Sequence, residues 1–152
     1  MPAREPRCLQ THEPAQTEAL GAELAGALEP GDAVIVVGEM GSGKTTLVRG
    51  ACRALGVSVP VSSPTFTIAQ RYPAAVPVSH VDLFRVASLA DEDPELLADY
   101  VGEGMISFIE MPPVEVAQLS ALEREIEGLA KVTARIHLVH SGGDVRSVSL
   151  ER

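Results

Sequence analysis

One run in the chain carries the strongest chemical signal. Gly38-Glu39-Met40-Gly41-Ser42-Gly43-Lys44-Thr45 fits the pattern G-x-x-x-x-G-K-[S/T]. Glycines let a loop curl until consecutive backbone N–H groups face one point, which suits phosphate oxygens. A helix starting at the end of such a loop adds positive potential at its N-terminus. Lys44 supplies a mobile cation for the β- and γ-phosphates, and the Thr45 hydroxyl offers an oxygen to Mg2+. Thr46 follows directly, so the candidate phosphate-binding set is Glu39, Met40, Gly41, Ser42, Gly43, Lys44, Thr45 and Thr46. The competing reading, a glycine turn with a chance lysine, is weakened by what flanks the loop: an apolar run before it and helical spacing after it.

A site for Mg2+ and phosphate also needs carboxylates near the carboxyl ends of neighbouring strands. Asp82 follows the strand-like Val76–Val81, and Glu110 follows the apolar Ile106–Ile109. Either could be the acid, and taken singly each reads almost as well as an ordinary strand-end residue. Ser63-Pro64-Thr65-Phe66-Thr67 gathers three hydroxyls around a proline. Alone it reads as a capped turn, although a loop of this kind can reach a γ-phosphate or a metal-bound water. His80 and Arg85 flank Asp82; a lone histidine beside a strand reads first as structural, and Arg85 either neutralises phosphate or covers surface.

These residues must be positioned by surrounding elements. Leu20, Leu24 and Leu28 recur at four-residue spacing, which predicts a helix over Glu13–Leu28 with Thr11 as N-cap and Pro14 in the first turn. Ala33–Val37 is a continuous apolar run, as expected of a strand covered on both faces. Thr45–Leu55 reads as a helix with Leu47, Val48, Ala51, Cys52 and Leu55 on one stripe, stopped by Gly56. Val57–Ser63 is Pro-interrupted and reads as an edge strand or loop; Thr65–Tyr72, Val76–Leu83 and Met105–Ile109 read as strands. Leu89, Leu96, Leu97 and Tyr100 suggest short helices, and Leu119, Leu122, Ile126 and Leu129 have helical spacing. Val132–Val139 alternates, Ser141–Asp144 is a turn and Val145–Leu150 returns, giving a C-terminal β-hairpin. Strand, glycine loop, helix, then further strands and helices is an α/β pattern: a P-loop NTPase-like three-layer α/β/α sandwich with a mixed sheet.

Composition bounds the rest. The 152 residues suit a single domain over 1–152, with residues 1–10 expected to be poorly ordered. Hydrophobic residues are 45% and charged residues 22%, so a core can form; aromatics are only 3% without Trp, so that core must be aliphatic and offers no stacking platform for single-stranded nucleic acid. A net charge of −9 provides no basic footprint for phosphodiester backbones or anionic membranes, so no direct contact with nucleic acid or membrane is expected. No apolar run is long enough for a membrane span or a signal peptide, and the two cysteines, Cys8 and Cys52, make no disulfide framework, so a reduced cytoplasmic location is expected.

The ordered set Gly38–Thr46, Ser63–Thr67, His80-Val81-Asp82-Leu83-Phe84-Arg85 and Ile109-Glu110-Met111-Pro112 resembles the bacterial TsaE (YjeE) family, with the likeness running from about Thr11 to Leu150. The resemblance implies a small P-loop ATPase, slow by itself and stimulated by partners. Such a protein acts with TsaB and TsaD in the threonylcarbamoyl modification of adenosine 37 in tRNAs that read ANN codons. It implies ATP and Mg2+ as cofactors, Thr45 and Glu110 in the metal site, Asp82 facing the nucleotide as a further metal or catalytic acid beside Lys44 and Glu110, and Thr17 of the first helix near the nucleotide. Three positions depart from the family pattern: Met111 stands where the family has Trp, Phe84 where it has Tyr, and Glu39 where it has Asp. Two other readings stay open on the residues: a small-molecule kinase, and a nucleotide-dependent interaction module that does not hydrolyse. A GTPase switch lacks its N-K-x-D base-reading motif here.

Overall fold

The computed structural model describes residues 5–62, 69–83 and 95–152. The apolar run predicted as a buried strand is β2 (Asp32–Gly38), and all its residues are buried. It pairs in parallel with β5 (Ile106–Met111) on one side and β6 (Lys131–His140) on the other; β5 in turn pairs in parallel with β4 (Val78–Asp82). Antiparallel strands finish both edges: β3 (Ala69–Tyr72) beside β4, and β7 (Arg146–Glu151) followed by β1 (Arg7–Thr11) beside β6. The result is a mixed seven-stranded sheet in the order β1-β7-β6-β2-β5-β4-β3.

The helices form the outer layers, as the α/β pattern requires. On one face lie α1 (Pro14–Ala25) and α2 (Lys44–Ala54), burying Leu20, Leu24, Leu47, Val48 and Ala51 against Val34, Val36, Phe108 and Ile136. On the other face, α3 (Glu95–Tyr100) and α4 (Val116–Glu127) place Leu97, Leu122 and Ile126 against Ala33, Ile35, Val37, Ile109 and Met111. Each such aliphatic side chain removed from water contributes about 1.5–3 kcal/mol before entropy is counted. The α1 and α2 backbones touch: a Cβ on Gly50 would lie 2.0 Å from the Glu18 carbonyl, and one on Gly21 would lie 2.1 Å from that of Leu47. Only glycine permits that approach, and it fixes α1 alongside the helix that carries the phosphate loop. Cys52 of α2 is buried in the core, and burial pushes its thiol up to about 12, whereas Cys8 is exposed. Among the described residues no helix is long and apolar enough to cross a membrane.

Several local expectations need correction. Thr11 is not a helix cap: it ends β1, and the N-cap of α1 is Glu13, with Pro14 at the first turn as expected. A hydroxyl residue a few positions ahead of a helix suits both roles, and pairing of Thr11 with Arg146 decides for the strand. Within residues 1–10, expected to be poorly ordered, β1 is formed by pairing with β7, an alignment between chain ends that local pattern does not reveal. Residues 57–62 form no strand, leaving the loop reading. The strand expected over Met105–Ile109 is β5, which runs to Met111, so Glu110 lies inside it. Ser63–Thr67, Phe84, Arg85 and Leu89 lie outside the described residues.

Candidate functional site

The phosphate loop joins β2 to α2. Gly41 and Gly43 have φ of +78° and +98°, the left-handed region that side chains resist, and Gly43 is the N-cap of α2. No side chain caps α2, so the first-turn N–H groups face the loop without a competing acceptor from a cap. The Ser42 hydroxyl is buried and has no hydrogen-bond partner among the described residues. A buried polar atom in that condition costs free energy unless a ligand serves it, which suits a phosphate oxygen. Thr46 is half-buried behind Thr45, while Glu39 and Met40 are exposed at the mouth of the loop.

Lys44 is the loop's cation, and its side chain is buried. Its Nζ donates to the carbonyls of Gly38 at 2.5 Å and Glu39 at 2.9 Å. Burial holds the ammonium below its ordinary pKa, while Glu110, Asp82 and Glu39 oppose that shift. A desolvated ammonium is suited to meet a polyanion, because the incoming charge replaces solvation it has already lost.

The acids come from the adjacent strands. Glu110 of β5 stands in register with Val36 of β2 and Asp82 of β4, so both predicted acids lie beside the phosphate loop at the carboxyl end of the sheet. The Thr45 hydroxyl donates to the Glu110 carboxylate at 3.1 and 3.3 Å to its two oxygens. Thus the sequence-predicted Lys44, Thr45, Asp82 and Glu110 converge. Thr17, predicted from the first helix, is also here: its hydroxyl shares a 2.7 Å hydrogen bond with that of Thr11, and its methyl lies 3.8 Å from where a Gly43 Cβ would be.

Three further residues reach this cluster and were not singled out as site residues. His80 of β4 places Nε2 3.3 Å from Glu110 Oε2. Tyr72 of β3 stands behind His80, its hydroxyl 3.4 Å from Nδ1. Arg146 of β7 brings its Nε within 3.7 Å of the Gly43 Cβ position, and its Nη1 donates to the carbonyls of Gly143 and Val145, so the terminal hairpin walls the loop on one side. No local signal marks Tyr72 or Arg146; only strand pairing brings them in.

Residues 11–140 match the family described as threonylcarbamoyl adenosine biosynthesis protein TsaE. The chain is 39% identical over 104 residues to the tRNA threonylcarbamoyladenosine biosynthesis protein TsaE of Streptomyces coelicolor, covering 66% of this chain and 70% of that one. It is 36% identical over 99 residues to the protein of the same name from Bacillus subtilis, covering 63% of this chain and 61% of that one. The fold matches the crystal structure of Bacillus subtilis YdiB with a TM-score of 0.69 and 26% identity, across 98% of this chain and 88% of that one. With its phosphate loop, mixed sheet and buried strand acid in place, the chain belongs to the TsaE family of tRNA threonylcarbamoyladenosine biosynthesis proteins.

Proposed function

We propose that the protein binds ATP with Mg2+ and hydrolyses it slowly, as an accessory to tRNA threonylcarbamoyladenosine synthesis. The observation that carries this reading is the hydrogen bond from Thr45, at the head of the phosphate loop, to a Glu110 carboxylate buried in the neighbouring strand. A buried carboxylate is costly unless something compensates it. Here it faces a hydroxyl and a cation, an arrangement that gathers hard oxygen donors next to a phosphate cradle.

In this reading the loop amides, Ser42 and Lys44 hold the β- and γ-phosphates. Thr45 and Glu110 hold Mg2+, with Asp82 binding it or orienting one of its waters; the oxygen-only donor set fits that ion. Bound there, Mg2+ would neutralise charge developing on the transferred phosphoryl group. Thr17, Glu39, Met40 and Thr46 line the remainder of the nucleotide path, and water is the acceptor. None of the described residues stands out as a general base, which agrees with slow turnover and stimulation by partners. By family resemblance those partners are TsaB and TsaD. The net charge of −9 suits contact with proteins rather than directly with tRNA, and the reduced thiols suit the cytoplasm.

Calorimetry with ADP and ATP, with and without Mg2+, followed by single-turnover hydrolysis with and without the two partners, tests the reading. Micromolar nucleotide binding with partner-stimulated phosphate release is expected. Binding without release under any partner condition would leave a nucleotide-dependent interaction module, and transfer to a metabolite would leave a kinase.

A further inference from the structure

The proposed ATPase chemistry uses Lys44, Thr45, Asp82 and Glu110 but gives no task to the histidine between them. His80 is fully enclosed, at 0% exposure, on the same face of the sheet as Glu110. The β4 and β5 positions preceding the pair on that face, Val78 and Phe108, are apolar. An imidazole there costs free energy that an apolar side chain would not, unless its nitrogens are used. Nε2 lies 3.3 Å from Glu110 Oε2, yet off the line of an aligned hydrogen bond, so it has no fully formed partner among the described residues. Among the described residues the carboxylate also receives the Thr45 hydroxyl. Glu110 is therefore gripped between a residue of the phosphate loop and a ring from the next strand.

We propose that His80 is a positioning residue for Glu110: with a proton on Nε2, the ring faces the buried carboxylate at contact distance and holds it toward Thr45, with Tyr72 bracing the ring from behind. The inference rests on Glu110 serving the nucleotide–metal site as read above. A carboxylate only accepts, so the ring must present N–H at Nε2. Nδ1 then meets the Tyr72 hydroxyl at 3.4 Å. That hydroxyl has a single proton and also faces Gln70 Oε1 at 2.8 Å and the Ser62 carbonyl at 3.4 Å, so Tyr72 is the weaker of the two holds. Partners of this kind, behind a ligand, set its orientation; removing one weakens metal affinity about ten- to a hundredfold in characterised sites.

The test combines two readouts. Nitrogen-15 NMR of the histidine rings in the nucleotide-free protein should show Nε2 of His80 protonated, with a resonance that moves in Glu110→Gln. Calorimetry should show that His80→Ala leaves ADP affinity in EDTA unchanged but lowers the gain from adding Mg2+ about tenfold or more. His80→Gln, whose amide N–H can reach the carboxylate, should restore most of that gain, and Tyr72→Phe should lose only a fraction of it. A ring protonated only at Nδ1, or an equal loss of affinity with and without Mg2+, or no recovery in His80→Gln would overturn the proposal. Should His80→Ala not fold, the His80→Gln titration and the ring spectrum decide. Failure of the native protein to bind nucleotide would overturn the ATPase reading instead, and the ring spectrum would still report whether His80 donates to Glu110.

Discussion

On β5, Glu110 reaches toward the phosphate loop, while its neighbours Ile109 and Met111 are buried in the opposite layer with Leu122 and Ile126 of α4. The same division runs through β4, where His80 approaches Glu110 and Val81 packs with Ile109. At this end of β4 and β5 the two-residue period of a strand thus puts site residues and aliphatic packing on opposite faces of one sheet, separated by a single peptide unit. On the loop face, buried polar groups gather around the phosphate loop; on the far face, the core is mainly aliphatic, with the buried Ser79 and Ser107 hydroxyls donating to the Tyr100 carbonyl. A change on one face should therefore register in nucleotide chemistry, and a change on the other in stability.

The largest expected effect comes from the aliphatic face. Ile126 is fully buried against the sheet, so Ile126→Ala should lose about 2–5 kcal/mol of folding stability by transfer and cavity terms. Denaturant unfolding measures this, and the ADP affinity of the folded fraction should stay at its native value. A matching loss of affinity would mean that the two faces are mechanically coupled. Next is Lys44→Ala on the loop face. It removes the cation donating to Gly38 and Glu39, and nucleotide binding should weaken by at least the roughly 1.5–3 kcal/mol of a charged hydrogen bond. Calorimetry finding ATP affinity unchanged would dismantle the phosphate-loop assignment.

The fold and the site were legible to different depths for physical reasons. The phosphate loop is local: its glycines, lysine and threonine act through backbone geometry that adjacent residues specify, so Gly38–Thr45 could be read directly. Glu110 was legible because it interrupts an apolar run, but that same polarity suggested the strand had ended; its compensation by Thr45 is a contact between distant segments. Thr11 misled because a hydroxyl residue just ahead of a helix serves a cap as well as a strand end. Tyr72 and Arg146 enter through the pairing of β3 with β4 and of β7 with β6; the turn at Ser141–Asp144 announces the terminal hairpin, but nothing near Arg146 in the sequence shows that it faces the phosphate loop.

A smaller effect is expected from Glu110→Gln. Size and strand packing are kept while the charge beside Thr45 is lost. ADP affinity rests mainly on Lys44, Ser42 and the loop amides, so it should remain close to native. Partner-stimulated turnover should fall at least about tenfold, equivalent to some 1.4 kcal/mol in the barrier. Single-turnover phosphate release checks it. If release were unchanged, Glu110 would be a structural acid and Asp82 would have to carry the metal chemistry alone.

The smallest expected effect is the sharpest probe of the comparison. Met111, the position at which the family resemblance implies tryptophan, lies one residue from Glu110 but on the aliphatic side. It is buried with Val37, Leu83 and Ile109. A methionine there fills volume through a flexible thioether and donates no hydrogen bond. Met111→Leu conserves volume and polarity, so stability should change by less than about 1.5 kcal/mol. Nucleotide affinity and partner-stimulated turnover should both stay within about twofold of native, under 0.5 kcal/mol on the same scale. Thermal unfolding and single-turnover hydrolysis measured on the same preparation decide the matter. A turnover loss without a stability loss would show that this side chain steers Glu110 through the strand or meets a partner, and the separation of the two faces would then fail at the residue where they come closest.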